Sequence, residues 1–154
     1  MIVLVGGAGQ PGDNLVTALN AANFNDLVIV FDHKNDKGAS SLNGKRFTKK
    51  IRYKELTRFL DVNQLHVQFV IVTSTDGFQQ AEPIWNTCIQ WGLPLIVAST
   101  EKTAFDDLAD KSELKPYYWS IIKYNEKDIT ELPRAILERM HDRKQPGVYE
   151  LAGV

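Results

Sequence analysis

Short apolar runs alternate along this chain with longer segments of helical periodicity, and that alternation restricts the fold more than any other feature. Six strand candidates stand out: Ile2–Val5, Leu27–Phe31, Arg46–Tyr53, Val67–Thr73, Pro94–Ala98 and Tyr117–Ile122. Several are apolar at nearly every position, the pattern of strands covered on both faces of a parallel sheet. Arg46–Tyr53 differs, because Phe47, Ile51 and Tyr53 fall on one side and Arg46, Thr48, Lys50 and Arg52 on the other. Such alternation predicts a one-sided strand near a sheet edge.

Helical spacing links the runs. Leu15, Val16, Leu19 and Ala22 share one stripe, as do Phe78, Ala81, Trp85, Cys88 and Ile89, which run up to the stop at Gly92. Lys54–Leu60 and Ala104–Lys111 read as short helices, and Ile129, Leu132, Ile136 and Met140 mark a final amphipathic one. Pro83 requires its helix to start near Glu82 or to kink, whereas Pro133 sits in a first turn. His33–Gly44, rich in Asn, Asp, Ser, Gly and Lys, reads as a surface loop. The expected architecture is a Rossmann-like doubly wound α/β sheet, with residues 1–154 as a single domain.

Composition excludes several alternatives. With 44% hydrophobic and 10% aromatic residues, the 154-residue chain is neither largely disordered nor dependent on staples to close a core. No apolar run approaches the roughly 18–20 residues that span a bilayer. The chain passes from Met1 straight into a strand-like run, so no signal peptide is expected, and the lone Cys88 suits a reducing cytoplasm. Eighteen Lys and Arg against 19 Asp and Glu argue against a dedicated nucleic-acid binder.

The most informative local segment is Val5-Gly6-Gly7-Ala8-Gly9-Gln10-Pro11-Gly12. It satisfies G-x-G-x-x-G as Gly7, Gly9, Gly12 and G-x-x-G-x-x-G as Gly6, Gly9, Gly12. Small residues here let the chain turn off the strand, admit a pyrophosphate close to the backbone, and pack the next helix tightly. The amides that open that helix then face the phosphates with the positive end of its dipole. Asp32 ends the second strand twenty positions after Gly12, about the spacing that places a carboxylate on an adenosine ribose. A carboxylate there favours NAD, while His33, Lys34 and Lys37 offer charge for the extra phosphate of NADP; the cofactor expectation is therefore NAD or NADP. A tight βα turn and a strand-ending Asp are the purely structural alternative.

Ser74-Thr75-Asp76 and Ala98-Ser99-Thr100 each follow an apolar strand and so fall at the carboxyl edge of the sheet, where open α/β sheets bind ligands. Thr73, Ser74, Ala98, Ser99 and Thr100 are the candidates for the nicotinamide side, with helix capping as the competing role. Lys45–Arg58 holds seven basic residues and one acid, Glu55. Its alternation with apolar positions reads as a solvated strand face, and a nucleic-acid site there would show strongly salt-dependent binding. Cys88 lies on an apolar stripe and reads as core. His33, His66 and His141 have no metal-ligand or triad spacing, so no metal is expected. Tyr117-Tyr118-Trp119 reads as strand core and rim.

Taken in order, these segments resemble the nucleotide-binding domain of the 4-hydroxy-tetrahydrodipicolinate (dihydrodipicolinate) reductase family of lysine and diaminopimelate biosynthesis. The likeness is carried by Gly6, Gly9 and Gly12, by Val70-Ile71-Val72-Thr73-Ser74-Thr75-Asp76, and by Leu95-Ile96-Val97-Ala98-Ser99-Thr100-Glu101. Gln145-Pro146-Gly147-Val148-Tyr149-Glu150-Leu151 is similar to the family's carboxyl end, which implies a tail, residues 145–154, packed back on the domain. The family's histidine-histidine-x-x-lysine site and serine-glycine-threonine loop do not occur here, and Lys123-Tyr124-Asn125 matches the interdomain segment poorly.

The resemblance implies an NAD(P)-binding oxidoreductase domain without its substrate domain. Gly6, Gly7, Gly9, Gln10, Pro11 and Gly12 would cradle the pyrophosphate, and Asp32, with His33 and Lys34 beside it, would hold the ribose end. Hydride transfer would then need a second copy or a partner protein to supply acid–base groups. The alternative is a non-catalytic nucleotide-sensing or protein-interaction module.

Overall fold

The computed structural model of the chain describes residues 1–6, 11–31, 42–73, 75–112, 119–142 and 147–151. Within these, seven strands form one sheet: β1 (Ile2–Val5), β2 (Leu27–Phe31), β3 (Lys49–Arg52), β4 (Phe69–Val72), β5 (Leu95–Ser99), β6 (Trp119–Lys123) and β7 (Gly147–Glu150). Their order is β3-β2-β1-β4-β5-β6-β7, and every neighbouring pair is parallel. The helices are α1 (Gly12–Ala21), α2 (Leu56–Val62), α3 (Thr75–Gln79), α4 (Ala81–Trp91), α5 (Ala104–Lys111) and α6 (Leu132–His141). The chain is thus the doubly wound α/β fold that its alternation predicts.

Strand periodicity decides which helix covers which face. Val3, Val5, Val28, Val30, Val70 and Val72 point to a core shared with α2, α4 and α5, while Ile2, Leu4, Leu27, Ile29 and Ile71 meet α1 and α6 on the other side. Both faces of the central strands are therefore dry, which is why β1 and β4 carry no polar position. The direction of winding reverses between β1 and β4, because β2 and β3 lie on one side of β1 and β4 to β7 on the other. That reversal opens a crevice at the carboxyl ends of β1 and β4.

The structure corrects four local expectations. Gly147–Glu150 is a seventh strand paired with β6, where only six were predicted; its half-exposed alternation lacks the apolar continuity of the others. Phe47 does not share a face with Ile51 and Tyr53: it packs with the α1 side, and they pack with the α2 side. The strand begins only at Lys49, so its alternation does not extend back to Phe47. The stripe before Gly92 is split at Gln80 into two helices, so Phe78 lies on α3, while α4 starts at Ala81, as Pro83 requires. Ile129 follows a short 3₁₀ turn, Glu126–Asp128, and is not part of the final helix.

Gly77 shows how closely α3 lies on the crevice. A Cβ at that position would stand 2.8 Å from Cγ1 of both Val5 and Val72, two fully buried, β-branched side chains with little freedom to move. Gly77→Ala should cost about 1–3 kcal/mol through overpacking despite the higher helix propensity of Ala. Urea unfolding reads this directly, and an unchanged midpoint would contradict the close packing.

Cys88 is wholly buried on α4, and burial pushes its thiol up from 9.0 to about 12. The native thiol should stay unreactive toward alkylating reagents at pH 8 and react on unfolding. Above pH 9 the unfolded chain releases a proton that the folded chain keeps until about pH 12. Stability should therefore fall with rising pH in that window by up to about 1.4 kcal/mol per unit. Comparing the pH slopes of wild type and Cys88→Ala isolates this contribution; equal slopes would remove it.

Candidate functional site

The crevice is built by the turn that leaves β1. Gly6 has φ 96°, the left-handed region where a side chain is strained, and its N–H still donates to the Val30 carbonyl at 3.2 Å. Thr73, just past β4, closes the turn from the other side. Its N–H donates to the Val5 carbonyl at 2.9 Å, and its hydroxyl lies 3.4 Å from that oxygen and 3.3 Å from the Gly6 carbonyl. This buried threonine clamps the glycine turn to β4, so its hydroxyl serves the protein's own backbone.

Pro11 precedes α1 and accepts the Leu15 N–H through its carbonyl at 3.3 Å. Among the described residues no side chain caps the start of α1, and Gly12, its first residue, is buried. The leading N–H groups of a helix have no acceptor within it, so α1 presents donors and the positive end of its dipole to the carboxyl edge. Asp13 stands in the same first turn with Oδ1 buried and unpartnered among the described residues, while Lys45 Nζ reaches the Asp13 carbonyl at 2.9 Å. The helix start supplies donors suited to a diphosphate bridge, and the Asp13 carboxylate supplies an acceptor for an adjoining hydroxyl.

On the far side of the crevice, Ala98 and Ser99 end β5 fully buried, and Thr100 is exposed just beyond. Ser99 pairs in register with Lys123 at the end of β6. The Lys123 ammonium donates to Ser99 Oγ at 3.0 Å, to the Glu101 carbonyl at 2.8 Å and to Asp106 Oδ2 at 2.7 Å, which uses all three of its hydrogens. Asp106 also accepts from the Thr103 N–H at 2.7 Å, in a capping box that starts α5. Burial pushes the Asp106 carboxyl up, but hydrogen bonds from Lys123 and Thr103 and the Lys123 charge outweigh it and hold the group below its ordinary value.

Beside this latch lies a cavity of about 400 Å³ lined by Thr100, Lys123, Tyr124, Asn125 and Glu150 among others. Burial, with the charge of Glu126, raises the Tyr124 phenol above its usual range, so it stays protonated as a hydrogen-bonding group.

Of the residues singled out in the sequence, Gly6, Pro11, Gly12 and Thr73 meet at the β1–β4 reversal, and Ala98, Ser99 and Thr100 lie at the end of β5. Gly7, Gly9, Gln10, Asp32, His33, Lys34 and Ser74 fall outside the described residues. Lys123 and Asp106 were not anticipated as a pair. A Lys ending an apolar strand and the spacing Thr103-x-x-Asp106 were the available signals, but only the β5–β6 register joins them. Among the described residues no group of His, Cys, Asp and Glu could hold a metal ion, and no helix is long and apolar enough to cross a membrane.

No family model matches the chain. Solved structures do. A short-chain dehydrogenase/reductase (wide type) from Veillonella parvula DSM 2008, in complex with NADP, aligns at TM-score 0.64 and 12% identity over 99% of this chain and 94% of that one. A second short-chain dehydrogenase/reductase from the same organism gives 0.61 and 12% over 92% and 86%. UDP-glucose 4-epimerase from Thermotoga maritima, with UDP-glucose, gives 0.53 and 15% over 80% and 54%.

These likenesses establish a Rossmann-type fold and correct the resemblance to dihydrodipicolinate reductase: the structural neighbours are short-chain dehydrogenase/reductases and an epimerase. The physical reason is plain. A glycine turn after β1 and Ser/Thr residues after β4 and β5 are what a doubly wound sheet places at its carboxyl edge, so they report the fold rather than that family. Nothing supports a role in lysine biosynthesis.

Proposed function

We propose that the chain binds NAD or NADP across the β1–β4 reversal. The start of α1, which no side chain caps among the described residues, beside the left-handed Gly6 at that reversal is the observation that carries the reading. Gly6, Gly7, Gly9, Gln10, Pro11 and Gly12 cradle the diphosphate. Asp32, with His33 and Lys34, takes the adenosine ribose and sets the choice between the two cofactors. Ala98, Ser99, Thr100 and Ser74 border the nicotinamide side, and Thr73 holds the turn that shapes the cradle. The neighbour in complex with NADP supports this reading.

A bound dinucleotide would supply hydride chemistry. The chain's own residues orient it: the α1 dipole and backbone amides seat the phosphates, and the Lys123 latch fixes the loop after β5 where the reactive end would lie. A binding role without turnover, as a nucleotide-sensing or interaction module, is favoured as the second reading by one observation. Among the described residues, two hydroxyls near that end are engaged within the protein, Ser99 as acceptor from Lys123 and Thr73 on the Val5 and Gly6 carbonyls.

Titration with NADH and NADPH tests the proposal through energy transfer from Trp85, Trp91 and Trp119, which lie on the α2–α5 side of the sheet. Saturable quenching at micromolar to submillimolar cofactor is expected, since a Kd of about 1 mM to 1 μM spans about −4 to −8 kcal/mol. Absence of quenching by either cofactor at millimolar concentration would overturn it.

A further inference from the structure

Away from the crevice, a groove of about 790 Å³ runs between edge strand β3 and α2. Its floor is apolar: Val28 and Ile51 belong to the core, and Phe59 packs partly buried against the same cluster. Val62, the last residue of α2, lines the groove while 73% exposed. The rim is basic, with Lys49 and Lys50 on β3, Lys54 on the turn before α2, and Arg58 on α2. Among the described residues none of these four cations enters an ion pair; Lys49 lies 5.6 Å over the Phe59 ring instead. Glu55, the one carboxylate lining the groove, is occupied by the Arg52 N–H at 2.9 Å.

Protection of an edge strand accounts for exposed lysines on β3. It does not account for a concave apolar floor, for an exposed Val62, or for two further cations supplied by the α2 side. We propose that this groove docks an extended acidic segment of a partner protein, with its apolar side chains on the floor and its carboxylates against Lys49, Lys50, Lys54 and Arg58. Charge complementarity selects the occupant, since four cations without counter-charges face one engaged carboxylate. A concave groove beside an edge strand suits an extended chain rather than a flat bilayer, and the apolar floor sets it apart from a phosphate-tracking surface. This inference is independent of the dinucleotide reading.

The test is fluorescence anisotropy with a labelled short peptide alternating Glu with Leu, its Lys–Leu counterpart, a labelled single-stranded oligonucleotide, and vesicles with and without anionic lipid. The Glu–Leu peptide should bind, the Lys–Leu peptide should not, and affinity should fall as NaCl rises from about 50 to 300 mM. The double variant Lys54→Glu/Arg58→Glu should weaken binding about tenfold or more, and Val62→Asp should also weaken it by adding charge beside the floor. Arg134→Glu, on the exposed face of α6, should leave it unchanged.

The proposal falls if the Glu–Leu peptide does not bind or if the double variant binds it as wild type does. It falls equally if Val62→Asp or its neutral counterpart Val62→Ser has no effect, because charge alone would then explain the binding. Tighter binding of the oligonucleotide or of anionic vesicles than of the Glu–Leu peptide would also overturn it.

Discussion

Replacing Lys123 by Met should lower the unfolding free energy by about 3 kcal/mol, because it strands a largely buried carboxylate without its cation. The side chains of Lys123 and Asp106 are only 21% and 14% exposed, so water screens the pair little. The loss should concentrate where the latch acts. Ser99, the Glu101 carbonyl and the capping box of α5 are all tied to one ammonium. Removing the orphaned charge as well, in Lys123→Met/Asp106→Leu, should restore much of the stability, which separates an unpaired charge from lost packing.

Acid titration provides a second readout of the same pair. Asp106 is held below the ordinary value of 3.8 in the folded chain, so its contribution is present above that value and is lost as pH falls through the folded pKa. Wild type should lose this increment in strongly acid solution. Lys123→Met, where burial acts on Asp106 without its cation, should instead gain stability as the carboxyl protonates. Identical acid profiles for the two proteins would contradict the latch.

The second large effect concerns Gly12. Gly12→Ala keeps the helix start but narrows the cradle, and NAD(P)H affinity should fall about tenfold, equivalent to about 1.4 kcal/mol. Gly12→Asp places a carboxylate where it repels the diphosphate and competes with it for the positive end of α1, and should abolish binding at millimolar cofactor. Because Gly12 is buried, near-ultraviolet circular dichroism should accompany each titration to confirm a native core. The loss should extend to ADP, which carries the diphosphate, and should spare adenosine. Equal losses for adenosine would place the damage outside the phosphate cradle.

The parts of the fold that were legible in the sequence are those whose signal is local. Dry central strands read directly from runs such as Leu27–Phe31, since a strand covered on both faces needs no polar position. Gly92 ends α4 in the left-handed conformation, as a glycine after a helical stripe predicts. Edge strands were harder. Gly147–Glu150 is short and half exposed, and the alternation around Lys49–Arg52 continued on paper into residues that are not strand.

The glycine turn and the strand-end hydroxyls were legible as positions, but what the hydroxyls do was not. Thr73 bonds to Val5 and Gly6 at the end of β1, 68 and 67 residues away, and Ser99 to a lysine 24 residues on, partners that only the parallel register supplies. The family resemblance failed for a related reason: its motifs are shared properties of one architecture, and their order along the chain repeats the order of the strands.

On the proposed reading, the amides opening α1 seat a diphosphate. Amide chemical-shift mapping on ¹⁵N-labelled protein tests it most directly, with NADPH and NADH added in turn. Saturable shifts are expected at Gly6, Gly12 and Asp13 and at Ser99 and Thr100, with the α2 residues Arg58 and Phe59 unmoved. Shifts confined to other parts of the molecule, or none at saturating cofactor, would contradict it.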